Sequence, residues 1–178
     1  MPGGGGQLRL MQRGQEYSIM ADGGIELMNS RLSGSEEALA GVAAERLAGR
    51  KAPRVLIGGL GMGFTLRAAL AAFPKDAEIV VGELVPEVVD WARGAMAAVY
   101  GGCLDDPRVS VVVGDVRERI AGQGVWDAIL LDVDNGPEGL TRRANDGLYD
   151  TAGLAAARAA LTPGGVLAVW SSAPHAAF

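Results

Sequence analysis

A single cysteine, Cys103, and a single histidine, His175, are all that this 178-residue chain offers of the usual thiolate and imidazole ligands of zinc. One cysteine excludes an internal disulfide and fits a reducing compartment, so a cytoplasmic location is expected. The usual nitrogen and sulfur ligand sets of zinc cannot be assembled, and no metal is expected. Long apolar runs are also lacking. Segments such as "AAARAAL" are broken by charge or glycine well short of the roughly 20 residues that a spanning helix needs, so no membrane association is expected. The N-terminus "MPGGGGQLRL" has neither the basic start nor the apolar stretch of a secretory signal. Basic residues number 16 against 21 acidic ones, and they stand singly apart from Arg50-Lys51 and Arg142-Arg143. That scatter argues against a surface tracking phosphates, and no nucleic-acid partner is expected. Few aromatics are present, and Trp91, Trp126 and Trp170 are read as packing residues.

What the chain does have is apolar content, 49% of residues, enough for one core. "LRLMQ" (8–12), "YSIM" (17–20) and "IELM" (25–28) are short apolar runs, and Asp22-Gly23-Gly24 between the last two is hairpin chemistry. A small antiparallel β element followed by a linker is predicted over 1–32. The stretch 33–49 opens with Ser33 three residues before Glu36, a capping-box spacing, and closes at Gly49, which predicts a helix.

From Arg54 the pattern alternates. Strands are predicted at 54–59, 77–84, 108–115, 126–133 and 165–171. Helices are predicted at 65–73, 86–100, 116–122 and 151–161. Five apolar strands joined by helices imply an α/β fold, a doubly wound, mostly parallel, Rossmann-like sheet covered on both faces. Residues 33–178 are expected to be the ligand-binding domain.

Ligands of such sheets sit beyond the carboxyl ends of the strands, so the residues just after each strand carry the functional information. After the first comes "GGLGMGF", with Gly59, Gly61 and Gly63 letting bare backbone lie against a ligand near a helix N-terminus. Phe64 interrupts the dinucleotide fingerprint, and no Lys-Ser/Thr follows as in a phosphate loop. The structural alternative is a tight strand-to-helix turn. After the second strand stands Glu83, placed to accept both hydroxyls of a ribose, or to be a solvated strand-end acid. After the third, Asp115 could accept from the amine of an adenine, cap the next helix, or do both. After the fourth, "LLDVDNGPEG" sets Asp132 at the strand end, with Asp134 and Asn135 on the loop. These carboxylates could receive a proton or hold an ammonium group, or simply end the strand in a turn.

In order and spacing, "RVLIGGLGMGFTLRAAL", "EIVVGELVPEVVDWAR", "DPRVSVVVGDVRERI", "WDAILLDVDNGPEG" and "LYDTAGLAAARAALTPGGVLAVWSS" resemble the spermidine synthase (polyamine aminopropyltransferase) family, within the class I S-adenosylmethionine-dependent methyltransferases. The resemblance runs over roughly residues 54–172 and, more weakly, over "DGGIELMNSRLSGSEEALA". It implies a co-substrate, S-adenosylmethionine or its decarboxylated form, lying across the glycine loop. It further implies that Glu83 is the ribose acid, Asp115 the adenine-contacting acid, and Asp132 the aspartate that helps deprotonate a small-molecule amine, with Asp134 as its stand-in partner. The reaction implied is transfer of an aminopropyl group to that amine. The alternatives are a small-molecule methyltransferase or a non-catalytic nucleoside-binding protein.

Three departures accompany the match. Met62 stands where the family's loop carries an acid for the aminopropyl amine, Leu39 stands where an aromatic would line the polyamine site, and Ile57 stands where ordinary methyltransferases carry an acid. The family's last two strands have no counterpart after 165–171, so either the catalytic domain is truncated at its C-terminus or a neighbouring subunit covers the sheet edge, and a homodimer is expected on that ground and by resemblance.

Overall fold

The computed structural model describes residues 7–31, 34–121, 124–133 and 146–171. Three short strands come first, β1 (Arg9–Arg13), β2 (Glu16–Ala21) and β3 (Ile25–Asn29), forming an antiparallel sheet in that order. The predicted turn at Asp22–Gly24 is present as one 3₁₀ turn, with Gly23 at φ +80° where a side chain would be strained. Along β2 every second residue is buried, and Tyr17 and Ile19 join the apolar cluster beneath the main sheet. Helix α1 (Gly34–Arg46) follows, with Glu36 and Glu37 in its first turn and Arg46 in its last, the charge order a helix dipole favours. Ser33 of the expected capping box lies outside the described residues.

The main unit then alternates: β4 (Arg54–Gly58), α2 (Phe64–Ala72), β5 (Glu78–Glu83), α3 (Pro86–Arg93), α4 (Ala97–Tyr100), β6 (Val109–Val113), α5 (Val116–Ile120), β7 (Trp126–Leu131), α6 (Asp146–Tyr149), α7 (Thr151–Ala160) and β8 (Leu161–Val169). The five strands are all parallel, in the order β6-β5-β4-β7-β8. The chain reverses its direction of winding at β4, so the crevice where ligands bind in open sheets lies above β4 and β7. Successive strand residues feed two apolar layers. Val55, Ile57, Ile79, Val81, Ala128 and Leu130 face one, and Leu56, Val80, Ile129 and Leu131 face the other. Burial on both faces explains why these strands read as continuous rather than alternating apolar runs. Trp126 is buried and Trp91 and Trp170 pack against the core, so all three tryptophans are packing residues.

Two boundaries depart from the sequence expectation. The 86–100 helix breaks at Gly94, whose backbone sits at φ −109°, ψ −105°, and restarts at Ala97. Strand β8 begins at Leu161, four residues before the expected Gly165, with a register irregularity opposite Trp126 and Ala128. The early start has a cause at the amino end of the sheet. There Asp127 of β7 is held by the Arg50 guanidinium and the Thr162 hydroxyl on one oxygen, and by the Arg54 amide on the other. Burial opposes the ionisation of Asp127, but these hydrogen bonds outweigh it and keep its pKa below the ordinary carboxylate value. No helix among the described residues is long and apolar enough to cross a membrane.

Candidate active site

At the carboxyl edge of the sheet the loops after four strands are stitched to one another by main-chain bonds. The Gly59 amide donates to the Gly82 carbonyl, Gly114 to Glu83, and Asp132 to Gly58, each at 2.8–2.9 Å. Glycine loop, Glu83, Asp115 and Asp132 therefore lie along one rim, as the strand reading required.

The glycine loop owes its composition partly to its neighbours. Gly59 has φ +90°, and a Cβ there would sit 2.3 Å from the carbonyl oxygen of Asp132. At Gly63, φ +77°, a Cβ would meet the Tyr100 ring at 2.6 Å, and the Tyr100 hydroxyl donates to the Gly61 carbonyl. At Gly61, φ +51°, a Cβ would make only an ordinary contact, with the sulfur of Met28 at 3.5 Å. Gly59→Ala is expected to lower stability by at least about 1–3 kcal/mol, from the strained backbone together with the collision, read as a fall in the thermal or denaturant midpoint. An unchanged midpoint would show that the β4 and β7 loops are not in fact pressed together.

Glu83 is buried, 8% exposed, and anchored by two main-chain donors: Oε2 accepts from the Leu60 amide at 2.9 Å and Oε1 from the Val85 amide at 2.8 Å. Burial raises its pKa, against the opposing pull of these backbone amides. The Gly61 and Leu84 amides pull the same way, so the main chain on both sides orients the carboxylate at the rim.

Asp115 caps α5, accepting from the Arg117 amide at 2.9 Å, and the Arg117 guanidinium folds back onto the same carboxylate. The capping alternative is thus realised, with the acid still at the rim between β6 and α5.

Asp132 leaves the end of β7 with Oδ2 accepting from the Thr65 hydroxyl at 2.6 Å. Burial pushes its pKa up to about 6, the Thr65 hydrogen bond pulls it down, and the charge of Glu36 on α1 adds to the rise. A carboxyl with that pKa is a far better proton acceptor near neutrality than an exposed aspartate. Thr65 escaped the sequence reading. Its signal was a hydroxyl residue in the first turn after the glycine loop, opposite the strand that ends in Asp132. Asp134, expected beside Asp132, lies outside the described residues. Met62, at the position of the family's loop acid, is buried in the core at 4% exposure.

Among the described residues no group of three or more His, Cys, Asp or Glu side chains is arranged to hold a metal ion. Burial pushes the Cys103 thiol up to about 11, so it is held protonated rather than poised as a nucleophile.

No family model matches the sequence. The polyamine aminopropyltransferase of Mycobacterium tuberculosis is 31% identical over 173 residues, covering 95% of this chain and 31% of that protein. The polyamine aminopropyltransferase of Nitrosomonas europaea is 32% identical over 108 residues, covering 59% of this chain and 31% of that one. Among solved structures, Thermotoga maritima spermidine synthase superposes with a TM-score of 0.66 at 22% identity, covering 92% of this chain and 56% of that one. Human methyltransferase-like protein 13 gives a TM-score of 0.52 at 22% identity, covering 74% and 60%.

Fold and rim together define a Rossmann-like domain of the class I methyltransferase type. Its relatives narrow the class: over 95% of its length the chain is similar to a polyamine aminopropyltransferase, and its fold is that of a spermidine synthase. It spans about a third of the length of these two curated relatives.

Proposed function

We propose that this chain supplies the nucleoside-binding and base-bearing part, residues 33–178, of a transferase that moves an aminopropyl group from decarboxylated S-adenosylmethionine to a small amine. Residues 1–32 serve as its accessory β element. The observation that carries this reading is Asp132: a half-buried carboxyl with a pKa of about 6, fixed at the strand end directly beside the glycine loop.

The residues fit a nucleoside sulfonium. Glu83 is oriented by main-chain amides at the rim, where its two oxygens would accept from the ribose hydroxyls. At Gly61, in the bend between Gly59 and Gly63, a Cβ would make only an ordinary contact, and Asp115 stands at the rim for the adenine. When bound, the donor supplies a carbon already activated for in-line displacement. What remains for the protein is to align an amine and deprotonate it. An alkyl amine with a pKa of about 10 is mostly charged at neutral pH, so the nucleophile must shed a proton. Asp132 attracts the ammonium form and accepts its proton, and the freed amine bonds to the carbon as the carbon–sulfur bond breaks and the thioether nucleoside leaves, with Asp134 the proposed partner of Asp132. A homodimer and a cytoplasmic setting belong to the same proposal.

Methyl transfer from intact S-adenosylmethionine is the second reading. It is favoured by Met62 itself, which stands at the position of the family's loop acid and leaves the glycine loop with no carboxylate for the aminopropyl amine. Calorimetry with both donors and methylthioadenosine, followed by a transfer assay on a primary diamine, separates the readings. Tighter binding of the decarboxylated donor and an aminopropylated product are expected. The reverse ranking would favour methylation, and failure to bind any adenine nucleoside would overturn both.

A further inference from the structure

Thr65 is a polar side chain buried to 3% exposure, in the first turn of α2, where its β-branched side chain has little rotamer freedom. Its hydroxyl oxygen stands 2.6 Å from Oδ2 of Asp132 and 3.5 Å from the Glu36 carbonyl of α1. A hydroxyl has one proton to give, and the shorter, charge-assisted bond takes it. Among the described residues Oδ1 of Asp132 accepts no comparable bond. The two oxygens of the carboxylate are therefore inequivalent.

We propose that Thr65 is the positioning residue of this site: its hydroxyl clamps Oδ2 of Asp132 and so presents Oδ1 to the incoming amine. The proposal rests on the reading of Asp132 as the base. The clamp also joins three elements at one point. It holds the end of β7 against the start of α2, with the first turn of α1 above it, so the base is registered to the glycine loop through two short bonds: Thr65 to Asp132, and the Asp132 amide to the Gly58 carbonyl.

A second consequence is electrostatic. The groups around Asp132 are Glu36 from α1, which disfavours its charge, and Thr65 from α2, which favours it. Farther along the rim Glu83 is occupied with the Leu60 and Val85 amides, and on the other side the Tyr149 hydroxyl donates to the Val133 carbonyl. Of these contacts, only the Thr65 hydroxyl donates directly to the Asp132 carboxylate. Removing it leaves burial and Glu36 unopposed, so the carboxyl holds its proton to higher pH.

The test compares Thr65→Val, which keeps the shape and loses the donor, with Thr65→Ser, which keeps the donor. In the ligand-free protein the Asp132 titration is followed by carbon-13 NMR of labelled aspartate, assigned with Asp132→Asn. The acid limb of kcat/KM for transfer is measured in parallel. With Thr65→Val both the midpoint and the limb should move up by about one pH unit, the scale of one charge-assisted hydrogen bond, and Thr65→Ser should restore both. A midpoint that stays at its wild-type position in Thr65→Val would overturn the clamp and leave Thr65 a packing residue. If the midpoint moves while the kinetic limb does not, Asp132 is not the base, and the underlying reading fails rather than the contact.

Discussion

Asp132→Asn is expected to slow amine alkylation by about 10²- to 10⁴-fold, the usual contribution of a positioned general base, while adenine-nucleoside affinity stays nearly unchanged. Asparagine keeps an oxygen for the Thr65 hydroxyl to donate to, so the loop should hold its place. Wild-type activity should fall as pH drops through about 6, because only the ionised carboxylate can take the proton. The same substitution should raise stability. The folded pKa of Asp132 lies above its ordinary value of 3.8, so the folded state binds the proton more tightly than the unfolded chain does. Its contribution is therefore fully present below pH 4 and is lost as pH rises through about 6. At pH 7 the native protein carries that penalty, and the variant is relieved of it by up to about 3 kcal/mol. Denaturation at pH 4 and pH 7 for both proteins, beside single-turnover rates, checks the pair of effects. A variant that loses activity and is also less stable at pH 7 would mean that Asp132 is a structural acid.

Glu83→Ala should abolish measurable nucleoside binding and weaken the fold together. The substitution strips the acceptors from the Leu60 and Val85 amides, and each buried unsatisfied donor costs roughly 1–3 kcal/mol. Relief of a buried charge offsets part of that, since burial raises the Glu83 pKa. A net loss of about 1–3 kcal/mol in denaturant unfolding is expected. Glu83→Gln is the more informative partner. Its carbonyl oxygen satisfies one amide while its NH₂ opposes the other N–H, so stability should fall between wild type and alanine. Because the amide can no longer accept from two hydroxyls at once, calorimetric affinity for methylthioadenosine should drop in this variant as well. Retained affinity in Glu83→Gln would remove Glu83 from the ribose site.

Much of this architecture was legible in the chain because parallel strands buried on both faces leave a plain mark. "RVLIG", "EIVVGE" and "WDAILL" are apolar at nearly every position, and the acids that follow must emerge at one edge. What could not be read was anything fixed by a neighbour distant in sequence. The glycines at 59 and 63 read equally as ligand-facing residues or as a tight turn, and the packing that requires them, against the Asp132 carbonyl and the Tyr100 ring, has no local signature. Met62 matches the position of the family's loop acid, yet its side chain lies in the core, between two glycines of positive φ. The start of β8 was misplaced because Thr162 is drawn to Asp127 across 35 positions, which no local pattern announces. Thr65 was missed for the same reason, its partner standing 67 residues away.

Asp127 and Asp132 occupy the two ends of one strand, five residues apart, and their surroundings push their acidities in opposite directions. Mild acidification would accordingly extinguish the chemistry at the far tip while the near tip stays anionic and fastened to Arg50. The molecule should thus have a range of acidity in which it is idle but intact, and returning to neutrality should restore turnover without any refolding step.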